Sequence, residues 1–535
     1  MMSSDEYSPI SVRPDKNRLQ NIMDEVASGS IKIPVFQRDF VWNAAKMIEL
    51  FDSIRRGYPI GSLLLWRPEI EFKTKKFIGP FLIVKSARNQ SYVLDGFQRI
   101  TTLFGALANP KKTSYEDLND LKDFAVYYDL RIKEFTFIRG RKYEFNPYLL
   151  PLYKAVDTFE FLDFLRDLEN VILDRFETNQ LIENAKEINK ILYDYEIPFV
   201  EIRGGDIKSA VEIFSRINST GTEISQDFML SALSYNQETN FLLSDYITEF
   251  INSLSLYGFE NLKRDTVLNC IANTQGKIYF DVRFNELIKY DMERLTEKAF
   301  KHIQHAVAFL HDHLFIVDVK LLPYPTQLIF ISEFFRINQI YSINQLEALK
   351  RWFWITTYSN YFTINSLSQQ RIAYRKFVDF AHGQHPSGIL ENNDDEFVTA
   401  KFPQQLNLTS VRSKALQLFL LWYSYEDTTV HPYETIKETF IFNKKDKTPG
   451  NILLRLSSDH QDLMHNGGID RFLNESSRST LKRFFITPEM VELYNLGNEE
   501  QFVELRESII VSEEAQFVRR FNISYDFTDN WSAGI

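Results

Sequence analysis

The apolar positions change period twice along the chain. NRLQNIMDEVAS and AAKMIELFDSIRRG carry helical spacing on either side of Gly29 and the short apolar run IKIPVF. A repeat of about 3.6 residues of this kind turns one apolar stripe toward a core. GSLLLW, FLIVK and SYVLD follow as runs of strand length, and FAVYYDL with EFTFI predicts a hairpin before residue 145. From about Asp157 helical spacing returns, broken by one strand-like run, IPFVEIR. A helix is predicted from Asp206 to about Ile217, and another after Ser225.

Beyond residue 240 the pattern is one of amphipathic helices rich in Phe, Tyr and Leu, interrupted at LLPYP and at the polar stretch HGQHPSGILENNDDE. The tail holds helix-like VRSKALQLFLLWYSY, the segment NILLRLS, and helices around PEMVELY and QFVELRESIIVSEEAQFVRRF. The predicted fold class is therefore α+β, a mixed α/β N-terminal domain followed by a predominantly α-helical C-terminal half. A chain of 535 residues exceeds one ordinary core, and the pattern divides it into a domain at 1–240, a helical domain at 241–382, a linker at 383–404 and a helical domain at 405–535.

Composition narrows the class. With 25% charged residues and no uncharged apolar window of ~18 positions, the chain reads as globular, with no predicted membrane span. The polar start MMSSDEYSPISVRPDKNR lacks the apolar stretch of a secretory signal, which makes the cytoplasm the expected compartment. Cys270 stands alone, which excludes an internal disulfide and a cysteine-based zinc site and makes this thiol core filler. A net charge of −11 argues against non-specific coating of nucleic acid, yet leaves room for a local basic groove.

Three stretches carry candidate chemistry. In SYVLDGFQRITTLFGAL a strand ends at Asp95, Gly96 turns the chain, and Gln98 and Arg99 enter a helix. Such a junction leaves backbone N–H groups at the positive end of a helix dipole, suited to a phosphate, and Arg99 adds a planar bidentate donor. Asp95 is suited to hold a metal ion or orient a water; the alternative is that it caps the helix while Arg99 is a surface cation. In IPVFQRDFVW, strand alternation puts Gln37 and Asp39 on one face and Arg38 on the other, either a ligand edge or a plain amphipathic strand. In AVEIFSRINSTGTEISQDFML, Arg216 and Asn218 sit at a helix end, where they either contact a nucleotide or DNA phosphate or bond the last carbonyls.

IPVFQRDFVW, DSIRRGYPIGSLLLW, YVLDGFQRITTL and FSRINSTGTEIS, in this order over residues 20–235, resemble the N-terminal domain of GmrSD-type restriction endonucleases. The resemblance implies a ParB/sulfiredoxin-like fold and a function in anti-phage defence: binding and hydrolysis of an NTP with Mg²⁺, coupled to cleavage or nicking of DNA that often carries modified bases. It implies Asp95, Gln98 and Arg99 as catalytic, with Asp95 also the metal ligand, and Gln37, Arg38, Gly96, Thr101, Arg216 and Asn218 as nucleotide or phosphate contacts. Phe97 stands where the family's Asp-Gly-Gln-Gln-Arg motif has its first glutamine, so one amide that would bond a base or phosphate is missing.

Many relatives add a C-terminal HNH-type nuclease marked by a His-Ile-x-Pro segment. Here NILLRLS and the final helix resemble its framework, but no such segment precedes Asn451, and His431, His460 and His465 lack the expected setting. The tail reads as a degenerate HNH-like region. The alternative function is a catalytically weak specificity subunit that senses nucleotide or DNA and recruits a separate nuclease. DNA, a partner defence subunit and a homo-oligomer are the expected partners. No GxxxxGK[ST] or GxGxxG occurs, so neither a P-loop nor a Rossmann fingerprint supports nucleotide binding.

Overall fold

The computed structural model describes residues 10–37, 39–69, 71–83, 90–138, 146–172, 174–218, 226–236, 238–239, 241–276, 287, 289–364, 366–385, 397–426, 428–442, 446–459 and 464–527. The chain forms two compact units, Met1–Leu242 and Leu243–Ile535. Among the described residues no helix is long and apolar enough to cross a membrane.

The first unit runs β1 (Ser11–Arg18), α1 (Leu19–Ala27), β2 (Ile31–Lys32), α2 (Ala44–Arg55), β3 (Leu63–Arg67), β4 (Phe77–Ile78), β5 (Phe81–Leu82), β6 (Ser91–Asp95) and α3 (Phe97–Leu107). It continues through α4 (Leu118–Asp123), β7 (Val126–Asp129), β8 (Glu134–Phe137), β9 (Leu149–Pro151), α5 (Leu152–Val156), α6 (Thr158–Val171), α7 (Arg175–Asp194), β10 (Glu196–Arg203), α8 (Ile207–Asn218) and α9 (Gln226–Ser234). Five strands make a mixed sheet in the order β1-β10-β3-β6-β2. The pairs β10/β3 and β6/β2 are parallel, while β1/β10 and β3/β6 are antiparallel.

The period of two in β3 and β6 sorts their side chains onto two cores. Leu63, Leu65 and Val93 join the larger core with Leu19 and Ile22 of α1, Phe51 of α2 and Ile100 and Leu103 of α3. Leu64, Trp66, Tyr92 and Leu94 face the other way and pack with Ala210 and Val211 of α8 and with Phe36. Central strands buried on both faces explain why LLLW and YVL are continuous apolar runs. The predicted hairpin is present as β7/β8, extended by β9 into a small antiparallel sheet.

Two elements differ from expectation. Asn17 and Arg18, assigned to the first helix, end β1, whose eight residues pair with β10 along their whole length. IPVFQRDFVW is not a strand: Pro34 makes one bridge to Thr74, the Gln37 N–H turns back to the Pro34 carbonyl, and residues 39–43 form a connector into α2. Side-chain capture by neighbouring elements, described below, replaces ladder pairing there.

The second unit is mainly helical. Its helix Met292–Leu314 packs on Pro325–Ile337, and Val411–Tyr425 lies against the strand Ile452–Leu456, which pairs antiparallel with Ile436–Phe440. Burial pushes the Cys270 thiol up to about 12, which leaves it protonated and inert in the core. A buried ion pair, Arg412 to both oxygens of Glu514 at 2.7 Å, is completed by the Tyr358 and Tyr525 hydroxyls, which also donate to Glu514. Of the stretch expected as a linker, 386–396 lies outside the described residues. Its end is built in: Phe397–Val398 pairs with Ile523–Ser524, and Arg412 donates to the Ala400 carbonyl.

Candidate functional site

The strand-to-helix junction at Asp95–Gly96 forms as the sequence predicts. β6 ends at Asp95, beside a register shift against β3 between Leu64 and Leu65. Such irregularities re-aim the side chains next to them. Gly96 takes φ 93° and is the N-cap of α3, with no side-chain hydrogen bond to the first turn. A Cβ at Gly96 would lie 2.4 Å from Leu63 Cδ2, so both the conformation and the close approach require glycine. Asp95 does not cap the helix.

It holds Arg99 instead. Arg99 Nη2 donates to Asp95 Oδ2 at 2.9 Å, and Nη1 donates to the Ile60 carbonyl at 2.9 Å. A Cβ at Gly61 would come within 2.6 Å of Nη1, so the loop before β3 closes against the guanidinium. The Asp95 side chain is 41% exposed and Arg99 14% exposed. The pair therefore presents one open carboxylate edge beside a cation fixed in place, at a helix end whose dipole favours anions.

Both glutamines of the motifs turn inward. Gln98, 5% exposed, donates from Nε2 to the Asp39 carbonyl at 2.9 Å, while its Oε1 accepts from the N–H groups of Val41 at 2.9 Å and Trp42 at 3.3 Å. Gln37, 7% exposed, donates to the carbonyls of Val93 and Leu94, the last residues of β6 before Asp95. Both amide atoms of Gln98 and the Nε2 of Gln37 are spent on backbone, so the two side chains clamp the 37–42 connector onto the strand and helix that carry Asp95 and Arg99. Thr101 is 1% exposed, and its hydroxyl has no hydrogen-bond partner among the described residues.

Phe97 is also buried, and the Lys75 ammonium lies 5.5 Å from its ring centre while pairing with Asp39 at 2.7 Å. The ring that replaces the motif glutamine thus positions a cation at the rim. The sequence marks Lys75 only as one of a basic cluster with Lys73 and Lys76, without placing it at this turn, and nothing local marks Gly61. Arg38 lies outside the described residues. Arg216 and Asn218 fall at the end of α8, the backbone of which is described but not their side chains.

Among the described residues no three His, Cys, Asp or Glu side chains gather to hold a metal ion. Among the described residues one Asp95 oxygen has no partner, which suits Mg²⁺, an ion commonly held by one or two carboxylates with waters and substrate phosphates. In the second unit Asn451 is fully buried and bonded to Asp446 and Phe442, His431 is exposed, and His460 and the His465 side chain lie outside what is described.

Residues 19–235 match the family model for the GmrSD restriction endonuclease, N-terminal domain. The match covers most of the first unit. The match takes in the Asp95–Arg99 turn, the Gln37 clamp and α8. An uncharacterized protein of Methanocaldococcus jannaschii is 21% identical over 94% of this chain and 99% of its own length, so likeness to it extends past the GmrSD-type domain into the second unit.

Proposed function

We propose that the first unit binds a nucleoside triphosphate over the Asp95–Gly96 turn and hydrolyses it to control action on DNA, in the manner of a restriction system. The observation that carries this reading is the exposed edge of Asp95 beside a guanidinium held from both sides, at the uncapped start of an eleven-residue helix. Phosphate oxygens fit the free N–H groups of the first turn and the cations Arg99 and Lys75. Asp95 would hold Mg²⁺ with those oxygens, and the ion would neutralise charge on the phosphates. Gln37 and Gln98 act through the backbone, by keeping the junction rigid. The GmrSD description makes DNA the expected substrate.

The commitment of both Gln98 amide atoms to residues 39–42 favours a second reading. With Gln98 turned inward and Phe97 apolar, the turn lacks the amides that would orient an attacking water, as in a sensor or specificity subunit that recruits a nuclease. Calorimetric titration with each NTP and Mg²⁺, on the wild type, Arg99→Ala and Asp95→Ala, tests the site itself. Binding lost in Arg99→Ala supports both readings; binding unchanged in both variants removes the turn from the account.

A further inference from the structure

The second unit contains a cavity of about 510 Å³ lined by Trp422, Phe521, Arg351, Arg520, Glu426 and Asp312, among others. That volume lies within the range of small-molecule sites. Three features specify the chemistry it would take. The first is an aromatic side: Trp422 and Phe521, both half-buried, line the cavity, and the buried Phe517 and Trp354 back Trp422, with Phe517 at 4.5 Å from it and Trp354 edge-on to Phe517 at 5.0 Å. The second is a pair of guanidinium groups with no carboxylate partner among the described residues. Arg520 lies 5.4 Å from the Trp422 ring centre and 5.9 Å from that of Phe517, so stacking holds it with its N–H groups uncommitted. Arg351 is exposed and makes no ion pair, whereas its neighbour Lys350 is bonded to Glu347 at 2.8 Å.

The third feature is an accepting side. Glu426 is exposed and unpaired among the described residues, and the helices Met292–Leu314 and Glu499–Arg519 both end here, with Asp312 and His313 of the first and Phe517 of the second in the cavity lining. Each such end carries about half a negative charge. A purely anionic ligand would meet repulsion on that side, and a purely apolar one would leave two guanidiniums unused. A ligand with a flat face, an anionic group and N–H donors satisfies all three.

We infer that this cavity binds a nucleotide whose base carries an exocyclic amine, with the base on the aromatic wall, the phosphate on Arg351 and Arg520, and the amine at Glu426. Free nucleotide and a base turned out of a DNA strand share this chemistry. The site is separate from the Asp95 turn and does not rest on that reading.

Equilibrium dialysis of the full-length protein against dAMP, dTMP and a short oligo(dA) strand, without Mg²⁺, tests the inference. Wild type and Asp95→Ala should bind equally, dAMP should bind more tightly than dTMP, and Arg520→Gln and Arg351→Gln should each weaken binding about fivefold or more. Arg351 has no ion-pair partner to lose among the described residues, so its variant keeps the test valid if Arg520→Gln disturbs the stacking. Glu426→Gln should narrow the preference for dAMP over dTMP. Binding of dAMP alone assigns a free-nucleotide site, and binding of oligo(dA) alone assigns strand reading. Binding unchanged in both arginine variants, or no binding of either probe up to about 5 mM, overturns the inference.

Discussion

Gln98→Ala separates a residue that acts on a ligand from one that holds the machinery in place. The amide makes hydrogen bonds to Asp39, Val41 and Trp42. Its removal strands one carbonyl and the N–H groups it served, at about 1–3 kcal/mol for each group that water cannot reach. Because Val41 is exposed, water recovers part of that loss, and a net cost of about 2 kcal/mol follows. In a domain of this size 1 kcal/mol moves Tm by about 2–4 °C, so scanning calorimetry should show the first unit melting roughly 4–8 °C lower. Gln98→Glu keeps the acceptor but sets a carboxylate against the Asp39 carbonyl. It should cost at least as much at pH 7 and recover as the pH falls and the acid becomes a donor. If Gln98→Ala melts within about 1 °C of wild type while nucleotide turnover is abolished, the amide touches the ligand and the clamp reasoning fails.

Gly96→Ala, which forces an L residue to φ 93° with its Cβ on Leu63, should cost about 1–3 kcal/mol or more by urea unfolding. Arg99→Lys loses the fork that reaches Ile60 and Asp95 together, and nucleotide affinity by titration should drop about tenfold with little change in Tm. Glu514→Gln leaves Arg412 buried without its counter-charge and should lower stability to denaturant by about 3–5 kcal/mol. Burial, aided by Arg336, holds the His302 pKa down to about 4. The unfolded chain therefore takes up this proton first: the stabilisation is complete above pH 6.5 and fades as the pH falls toward 4. Comparing urea unfolding at pH 7 and pH 5, His302→Gln should remove about 1–2 kcal/mol of the wild type's loss.

The central strands and most helices of the first unit were legible because LLLW, YVL and the helical repeats each carry a period that matches one buried face. β1 was not, since SVRPDKNR is polar and exposed and gains its structure from backbone pairing with IPFVEIR some 180 positions away. The turn at Asp95–Gly96 was legible as well, because only glycine suits it. The roles within the site were less so. Asp95 and Arg99 come together as neighbours four apart on the chain, but nothing local shows that Gln37 and Gln98 spend their amides on distant backbone. Gly61 meets Arg99 only through the tertiary fold.

The most direct test of the central claim is phosphate release from each NTP with Mg²⁺, with and without DNA carrying modified bases, by wild type and Asp95→Ala. The account predicts turnover in the wild type that the Asp95 variant loses while its fold and melting persist. Equal turnover in the two proteins would contradict it.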